Sequence, residues 1–269
     1  MLVEHVFASI QKEHGVTLLG ILSGLRNSIA FLTILPVGMD ADGFYQAAKY
    51  MPLYPIVGAM IGLLAGAFAW VIFPILPSLI VGMLCLGFIL LITGVHHTDG
   101  LLDFGDAVMH HGSRREKIRV MHDPTTGAGG LSLGLVVLVT TALSIAELNR
   151  ALVIPGLVVS EAAAKFAMVF QAWAGKSAHD GMNRPFIRSM HERKWRSLRL
   201  VVAFVLVLSV SLIALQTVGV LVVAAASSVA IVLLIIAMRQ FGGVTGDVMG
   251  ATNDIARLVS LIVILGLIH

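Results

Sequence analysis

The chain has 269 residues, of which 58% are hydrophobic and only 12% charged, and its mean hydropathy is +0.95. A soluble domain carries about 25% charged residues, so this composition excludes a soluble enzyme, even one tethered by a single anchor, and predicts a polytopic membrane protein. A formal net charge of +3, dispersed along the chain, leaves no footprint for nucleic acid; the single cysteine, Cys85, excludes an intrachain disulfide or a multi-cysteine metal site.

Residues 1–15 are mixed polar and lack the basic flank and short apolar core of a cleavable leader. Apolar runs near the ~20-residue spanning length follow at roughly 16–36, 52–73, 78–95, 129–148, 151–173, 200–217, 219–238 and 255–268. They predict an all-α, polytopic membrane helix bundle of about 7–8 membrane helices, forming a single catalytic domain over residues 1–269. Arg26 interrupts the first run and the last is short, so either is expected to be a partial or interfacial span. Within the second run, Gly58, Gly62 and Gly66 line one helix face and would let another helix backbone approach closely.

Directly after the third run come His96-His97-Thr98-Asp99-Gly100-Leu101-Leu102-Asp103-Phe104-Gly105-Asp106. Asp99, Asp103 and Asp106 are spaced i, i+4, i+7 and so share one helix face. Three convergent carboxylates at a membrane boundary repel one another and carry a desolvation cost, and a divalent cation would offset both. The same polar loop then supplies Arg114, Arg115, Lys117 and Arg119, with Arg115, Arg119 and Asp123 at i, i+4, i+8. Guanidiniums beside carboxylates suit a combined phosphate and metal site, because arginine binds phosphate oxygens bidentately while carboxylates hold the metal. Next, Asp123-Pro124-Thr125-Thr126-Gly127-Ala128-Gly129-Gly130 opens an apolar helix. Free backbone N–H groups there would form an anion-binding nest, making Thr126 and Gly127 candidate contacts for a substrate phosphate.

The 174–199 loop is strongly basic, as expected for topology and attraction to anionic lipid. Trp173 and Trp195 flank it as interfacial anchors, and His179 and His191 read as solvated loop histidines. Finally, Gly242-Gly243-Val244-Thr245-Gly246-Asp247 places a carboxylate in a flexible stretch between two spans. Asp247 is a candidate to complete the metal or nucleotide site, with Thr245 as a further phosphate contact. Two spans separate each basic segment from the next, so all lie on one face with the acidic motif. The positive-inside tendency makes that face cytoplasmic, with minimal turns outside.

The combination Gly94-xx-His97-x-Asp99-Gly100-Leu101-x-Asp103-xx-Asp106, then Arg115-xxx-Arg119-x-Met121-x-Asp123-xxx-Gly127-xx-Gly130, then Gly242-Gly243-x-Thr245-Gly246-Asp247-xx-Gly250-Ala251, resembles the cobalamin synthase family. The segments Phe31-Leu32-Thr33-Ile34-Leu35-Pro36-Val37 and Pro52-Leu53-Tyr54-Pro55-Ile56-Val57-Gly58 are similar to the family's opening, so the resemblance runs in order through nearly the whole chain. It implies an adenosylcobinamide-GDP ribazoletransferase: a Mg²⁺-dependent, multi-pass enzyme of the cell membrane. Such an enzyme joins adenosylcobinamide-GDP to α-ribazole or its 5′-phosphate and releases GMP. The implied partners are those two substrates and the lipid bilayer, without nucleic acid; a homo-oligomer is compatible with the sequence. One departure stands out. Where the family often shows Asn-Glu-x-x-Glu, this chain has Asn253-Asp254-x-x-Arg257, which reverses a charge.

Substitution at a pyrophosphate phosphorus needs charge neutralisation and in-line positioning more than covalent catalysis. On that view Asp99, Asp103, Asp106 and Asp123 would coordinate one or two Mg²⁺ ions. Arg115 and Arg119 would stabilise phosphoryl oxygens, and a carboxylate or His97 would take the proton of the attacking hydroxyl. Two other readings compete. A CDP-alcohol phosphotransferase also places aspartates at the membrane face, but Leu102-Asp103 stands where its Ala-Arg is expected. A divalent-cation transporter would use carboxylates on broken, glycine-rich helices, though here they fall at a span end.

Overall fold

The computed structural model describes residues 17–268, and within them the only regular elements are helices. The first is α1 (Leu18–Leu32), capped by the Thr17 hydroxyl, which accepts the Gly20 N–H. It is 15 residues long, too short to span, so the predicted first run is a partial one. Its polar side is tied down by Asp40, which accepts from Ser23, Arg26 and Asn27. Those donors hold the Asp40 carboxyl down at about 2, the Asn27 hydrogen bond contributing most. A short helix α2 (Gly43–Lys49) and a 3₁₀ turn lead into α3 (Tyr54–Ile72).

The core of the bundle is the pair α3 and α8 (Val153–Ala174), antiparallel and in close contact. A Cβ at Gly58 would lie 2.4 Å from the Glu161 carbonyl, at Gly62 2.2 Å from that of Leu157, and at Gly66 2.8 Å from the Ile154 Cα. The glycine face foreseen in the sequence is therefore a helix–helix seam. Between these two come α4 (Ser78–Ile92), α5 (His96–Met109), α6 (Arg114–Met121) and α7 (Ala128–Glu147). Consecutive left-handed residues, Gly94 and Val95, turn the chain so sharply that α5 leaves the direction of α4 by 98°. A left-handed valine is sterically costly, so surrounding contacts must enforce this corner. As a result α5 does not continue the line of α4.

After α9 (Arg184–Met190) comes α10 (Arg196–Gln240), whose 45 residues would measure about 68 Å if straight, against an apolar core of about 30 Å. The backbone leaves helical geometry at Gln216 (φ 51°, ψ −130°), and Gly219 sits against Ser211, whose oxygen would lie 2.2 Å from an added Cβ. Residues eight apart in a continuous helix would be about 12 Å apart, so α10 is a hairpin of two arms, as the separate runs 200–217 and 219–238 foresaw. The last helix, α11 (Gly246–Ile268), is 23 residues long. It starts nine residues before the predicted run 255–268, because its first half is polar yet buried. Among the described residues five helices are long and apolar enough to cross a membrane, six if α4 and α5 count as one bent span. One of the five is the α10 hairpin, which contributes two passes. The expected 7–8 is thus approximate, with the first run falling short.

The connections sort by length onto the two ends. Among the described residues, one end carries the tight turns after α3, after α7 and at Gln216; Arg150 packs 3.9 Å over the Trp70 ring there. The other end gathers the long segments. Val244 pairs with 176–178 through Val244 N–H to Lys176 (2.8 Å) and Ala178 N–H to Val244 (3.0 Å). Arg114 Nε donates to the Arg239 carbonyl. The basic loops, the acidic motif and the 241–245 stretch therefore share one end.

Candidate active site

Asp99, Asp103 and Asp106 follow one another along α5, and two helices are pressed onto it where it carries glycine. At Gly100 an added Cβ would lie 2.8 Å from the Asp247 Cα, and at Gly250 2.9 Å from the His97 carbonyl, so α11 crosses α5 in near-backbone contact. That crossing brings Asp247 alongside Asp99 and Asp103. At Gly105 and Gly130 the same closeness seats the start of α7 on α5; a Cβ on Gly130 would lie 2.5 Å from the Leu102 carbonyl.

Asp103, half-buried, has its pKa pushed up to about 7: burial contributes most, followed by the charges of Asp247, Asp99 and Asp106. The donor set is therefore hard oxygen, crowded and under repulsion. Among the described residues no three carboxylate, imidazole or thiol groups stand close enough to cage a metal unaided. Mg²⁺ rarely needs such a cage, since it keeps waters and takes one or two carboxylates together with substrate phosphate oxygens. One or two of Asp99, Asp103 and Asp247, completed by substrate phosphate oxygens, would meet that requirement.

Asp106 and Asp123, the other two expected metal ligands, also accept local hydrogen bonds. Asp106 accepts the backbone N–H groups of Gly127 (2.7 Å) and Gly130 (2.8 Å), capping α7 from outside. The anion nest read from the glycines exists, but its anion is this internal carboxylate. Gly127, expected at a substrate phosphate, gives its N–H to this carboxylate. Asp123 accepts from the Thr125 N–H and hydroxyl, which lower its pKa. Thr245, the other glycine-stretch candidate for a substrate phosphate, lies inside the bundle. It is only 1% exposed, and its hydroxyl accepts the Val248 N–H and contacts Asp247 and the Met121 sulfur, serving as the cap of α11. Thr126 is exposed beside Gly127 and makes no hydrogen bond to a described side chain.

The arginines divide. Ser113 and Glu116 form a capping box on α6, and Lys117 donates to the carbonyls of Ala107, Val108 and His110 at the end of α5. Arg115 and Arg119, by contrast, are exposed and form no ion pair with a described residue, leaving two guanidiniums available to an anion. Two cavities open along α5. One, of about 390 Å³, is bordered by His97, Asp99 and Asp247; the other, of about 310 Å³, by Asp106, Asp123, Thr125 and Gly127. Asp103 lies between their carboxylates in sequence.

Beneath the site is a fully buried ion network that the sequence reading did not find. Arg257 bonds Glu161 and Asp254 (2.9 Å to the latter), and Lys165 pairs with Glu161 (3.6 Å) and donates to Asn253 (2.6 Å). Thr98 on α5 donates to Asp254 (2.8 Å). The reversed charge at 257 thus has its counterion on α8. His97, 6% exposed, has its pKa pushed well down by burial, with Lys165 and Arg257 adding to the shift. Its Nδ1 has no partner. His179, expected to be solvated, instead stacks edge-on against His122 with centroids 5.1 Å apart, and its Nε2 is buried.

Residues 24–265 match the family model described as Cobalamin-5-phosphate synthase. The chain belongs to the cobalamin-5-phosphate synthase family. Among curated members, the adenosylcobinamide-GDP ribazoletransferase of Methanococcoides burtonii is 36% identical over 91% of this chain and 92% of its own. The protein of the same name from Methanocella arvoryzae is 38% identical over 90% and 94%, and that from Methanosarcina barkeri 31% over 90% and 91%. No solved structure matches the chain. Membership in the synthase family decides against both the lipid phosphotransferase and the cation transporter.

Proposed function

We propose that the chain transfers ribazole to adenosylcobinamide-GDP with the help of Mg²⁺, at the cytoplasmic face of the cell membrane. The observation that carries the chemistry is the meeting of Asp99 and Asp103 on α5 with Asp247 on α11, enforced by the glycine crossing at Gly100. A ribazole hydroxyl attacks the pyrophosphate phosphorus nearer the cobinamide. The new P–O bond forms as the bond to GMP breaks, and GMP leaves with the negative charge. One or two of Asp99, Asp103 and Asp247, with substrate phosphate oxygens, would hold Mg²⁺, which when bound neutralises charge on the diphosphate. Arg115 and Arg119 are free to bind phosphoryl oxygens. His97, whose buried Nδ1 has no partner, is the candidate to accept the proton of the attacking hydroxyl. The cytoplasmic assignment rests on the basic segments gathered at the site's end of the bundle.

The test uses purified protein in nanodiscs with adenosylcobinamide-GDP, α-ribazole 5′-phosphate and Mg²⁺. GMP should appear only when both substrates are present and should stop with EDTA. Folded protein that releases none, or releases it without the riboside, would sink the reading.

A further inference from the structure

Four buried threonines, Thr33, Thr93, Thr141 and Thr252, each donate a hydroxyl to the carbonyl four residues back in their own helix. That local bond is the ordinary way for a helical threonine to satisfy its donor away from water. Thr98, also buried, does otherwise: its hydroxyl reaches across to Asp254 on α11 (2.8 Å). Among the described residues no other side-chain hydrogen bond joins α5 to α11.

The acceptor is held still. The second oxygen of Asp254 accepts from Arg257 (2.9 Å) and Asn253 (3.0 Å). Asn253 in turn accepts from Lys165 (2.6 Å) and Arg257 is tied to Glu161, and Lys165 and Glu161 both belong to α8. A run of directional bonds therefore leads from the core helix α8 through Asp254 to the first turn of α5. The start of α5 has few other constraints. It follows two left-handed residues and has no side-chain cap. The glycine crossings at Gly100 and Gly250 set how near α11 comes, yet contact through bare backbone carries little preference for one rotation. The far end of α5 is pinned by Asp106 on Gly127 and Gly130. Thr98 is the pin at the end that carries Asp99.

We infer that Thr98 is a positioning residue: held by Asp254, it sets the rotation of α5 that turns Asp99 and Asp103 toward Asp247. The inference rests on the Mg²⁺-assisted reading above. With side chains about 5–6 Å from the helix axis, a turn of about 10° moves a carboxylate by about 1 Å. A misplacement of about 1 Å costs about a hundredfold in rate. The ion network, expensive to bury, thereby gains a part in the chemistry without touching substrate.

Thr98→Val keeps the shape of the side chain and removes the donor, whereas Thr98→Ser keeps the donor. Thr141→Val removes a buried hydroxyl from a bond within α7 and serves as the control. Each is compared with wild type in nanodiscs by GMP release from adenosylcobinamide-GDP and α-ribazole 5′-phosphate with Mg²⁺. Mn²⁺ affinity is measured separately, without substrates, from the electron paramagnetic resonance signal of the free ion. Thr98→Val should lose about tenfold or more in kcat and bind Mn²⁺ about tenfold more weakly, with the KM for the riboside unchanged. Thr98→Ser and Thr141→Val should both stay within about threefold of wild type on each measure. Wild-type values of both quantities in Thr98→Val, or a Thr98→Ser as impaired as Thr98→Val, would overturn the inference. So would slow turnover with unchanged Mn²⁺ affinity, or failure of both Thr98→Val and Thr98→Ala to fold, since the bond would then serve stability alone. A wild type that binds Mn²⁺ but releases no GMP would remove the transferase reading, and the affinity comparison would still decide the positioning role.

Discussion

Asp103 is the residue at which burial and charge converge most plainly. Its carboxyl is held near 7 by desolvation and by Asp247, Asp99 and Asp106. Because the pKa is raised above the unfolded value of about 3.8, ionising Asp103 opposes folding as pH rises through 7 unless a cation relieves the repulsion. Metal binding requires the ionised form. Mg²⁺ affinity, followed by calorimetry, should therefore fall as pH drops from 8 through about 7 to 6. Mg²⁺ should correspondingly raise the melting temperature more at pH 8 than at pH 6. Asp103→Asn should cut GMP release about a thousandfold or more while the protein still inserts and purifies normally; near-normal turnover would remove Asp103 from the chemistry. The acidic row was legible in the sequence because i, i+4, i+7 spacing is a local property of one helix. The fates of Asp106, Gly127 and Thr245 were not. Whether a carboxylate, an N–H or a hydroxyl is free depends on which helix end lands beside it, and no spacing rule reports that.

At the scale of elements, the decisive contacts are helix crossings made at glycine. Gly100→Ala would place a methyl 2.8 Å from the Asp247 backbone, which cannot rotate away. Overpacking of this kind costs about 1–3 kcal/mol and should also push Asp247 off the cluster. Thermal unfolding in detergent should show the loss, and kcat should fall more than KM rises. Gly87→Ala is the matched control: nothing lies within 4 Å of the added methyl, so kinetics should stay unchanged and stability should not fall. Helices α3, α4, α7 and α8 were readable as apolar runs, and so were the two arms of α10. The run 255–268 clips helix α11 because Asp247, Asn253, Asp254 and Arg257 look like a loop until α5 and α8 pack against them. The 98° corner before α5 left no signature beyond Gly94, since Val95 is a residue that rarely adopts a left-handed backbone.

Across the whole molecule, α5, α8 and α11 are held together at their buried faces by Thr98, Glu161, Lys165, Asp254 and Arg257. Arg257→Met would strand Glu161 beside Lys165 alone and should cost about 3–5 kcal/mol, read as lost yield of folded protein and a lower melting temperature. The double variant Glu161→Leu with Arg257→Met removes one charge of each sign and should recover part of that loss. A double variant no better than the single one would show that the pair does not act as a unit. Family resemblance flagged position 257 as unusual, but its counterion lies 96 residues away, beyond the reach of pattern reading.

The same network bears on how the chain enters a bilayer. Glu161 and Lys165 are one turn apart on α8, and Asp254 and Arg257 are one turn apart on α11. Each helix therefore carries a counterion for its mid-span charge, Lys165 for Glu161 and Asp254 for Arg257, before the other has been synthesised. The cross-helix bond from Arg257 to Glu161 need only exchange partners that are already paired. Late arrival of the C-terminal helix then leaves no isolated charge stranded in lipid, and the site closes with the last span delivered.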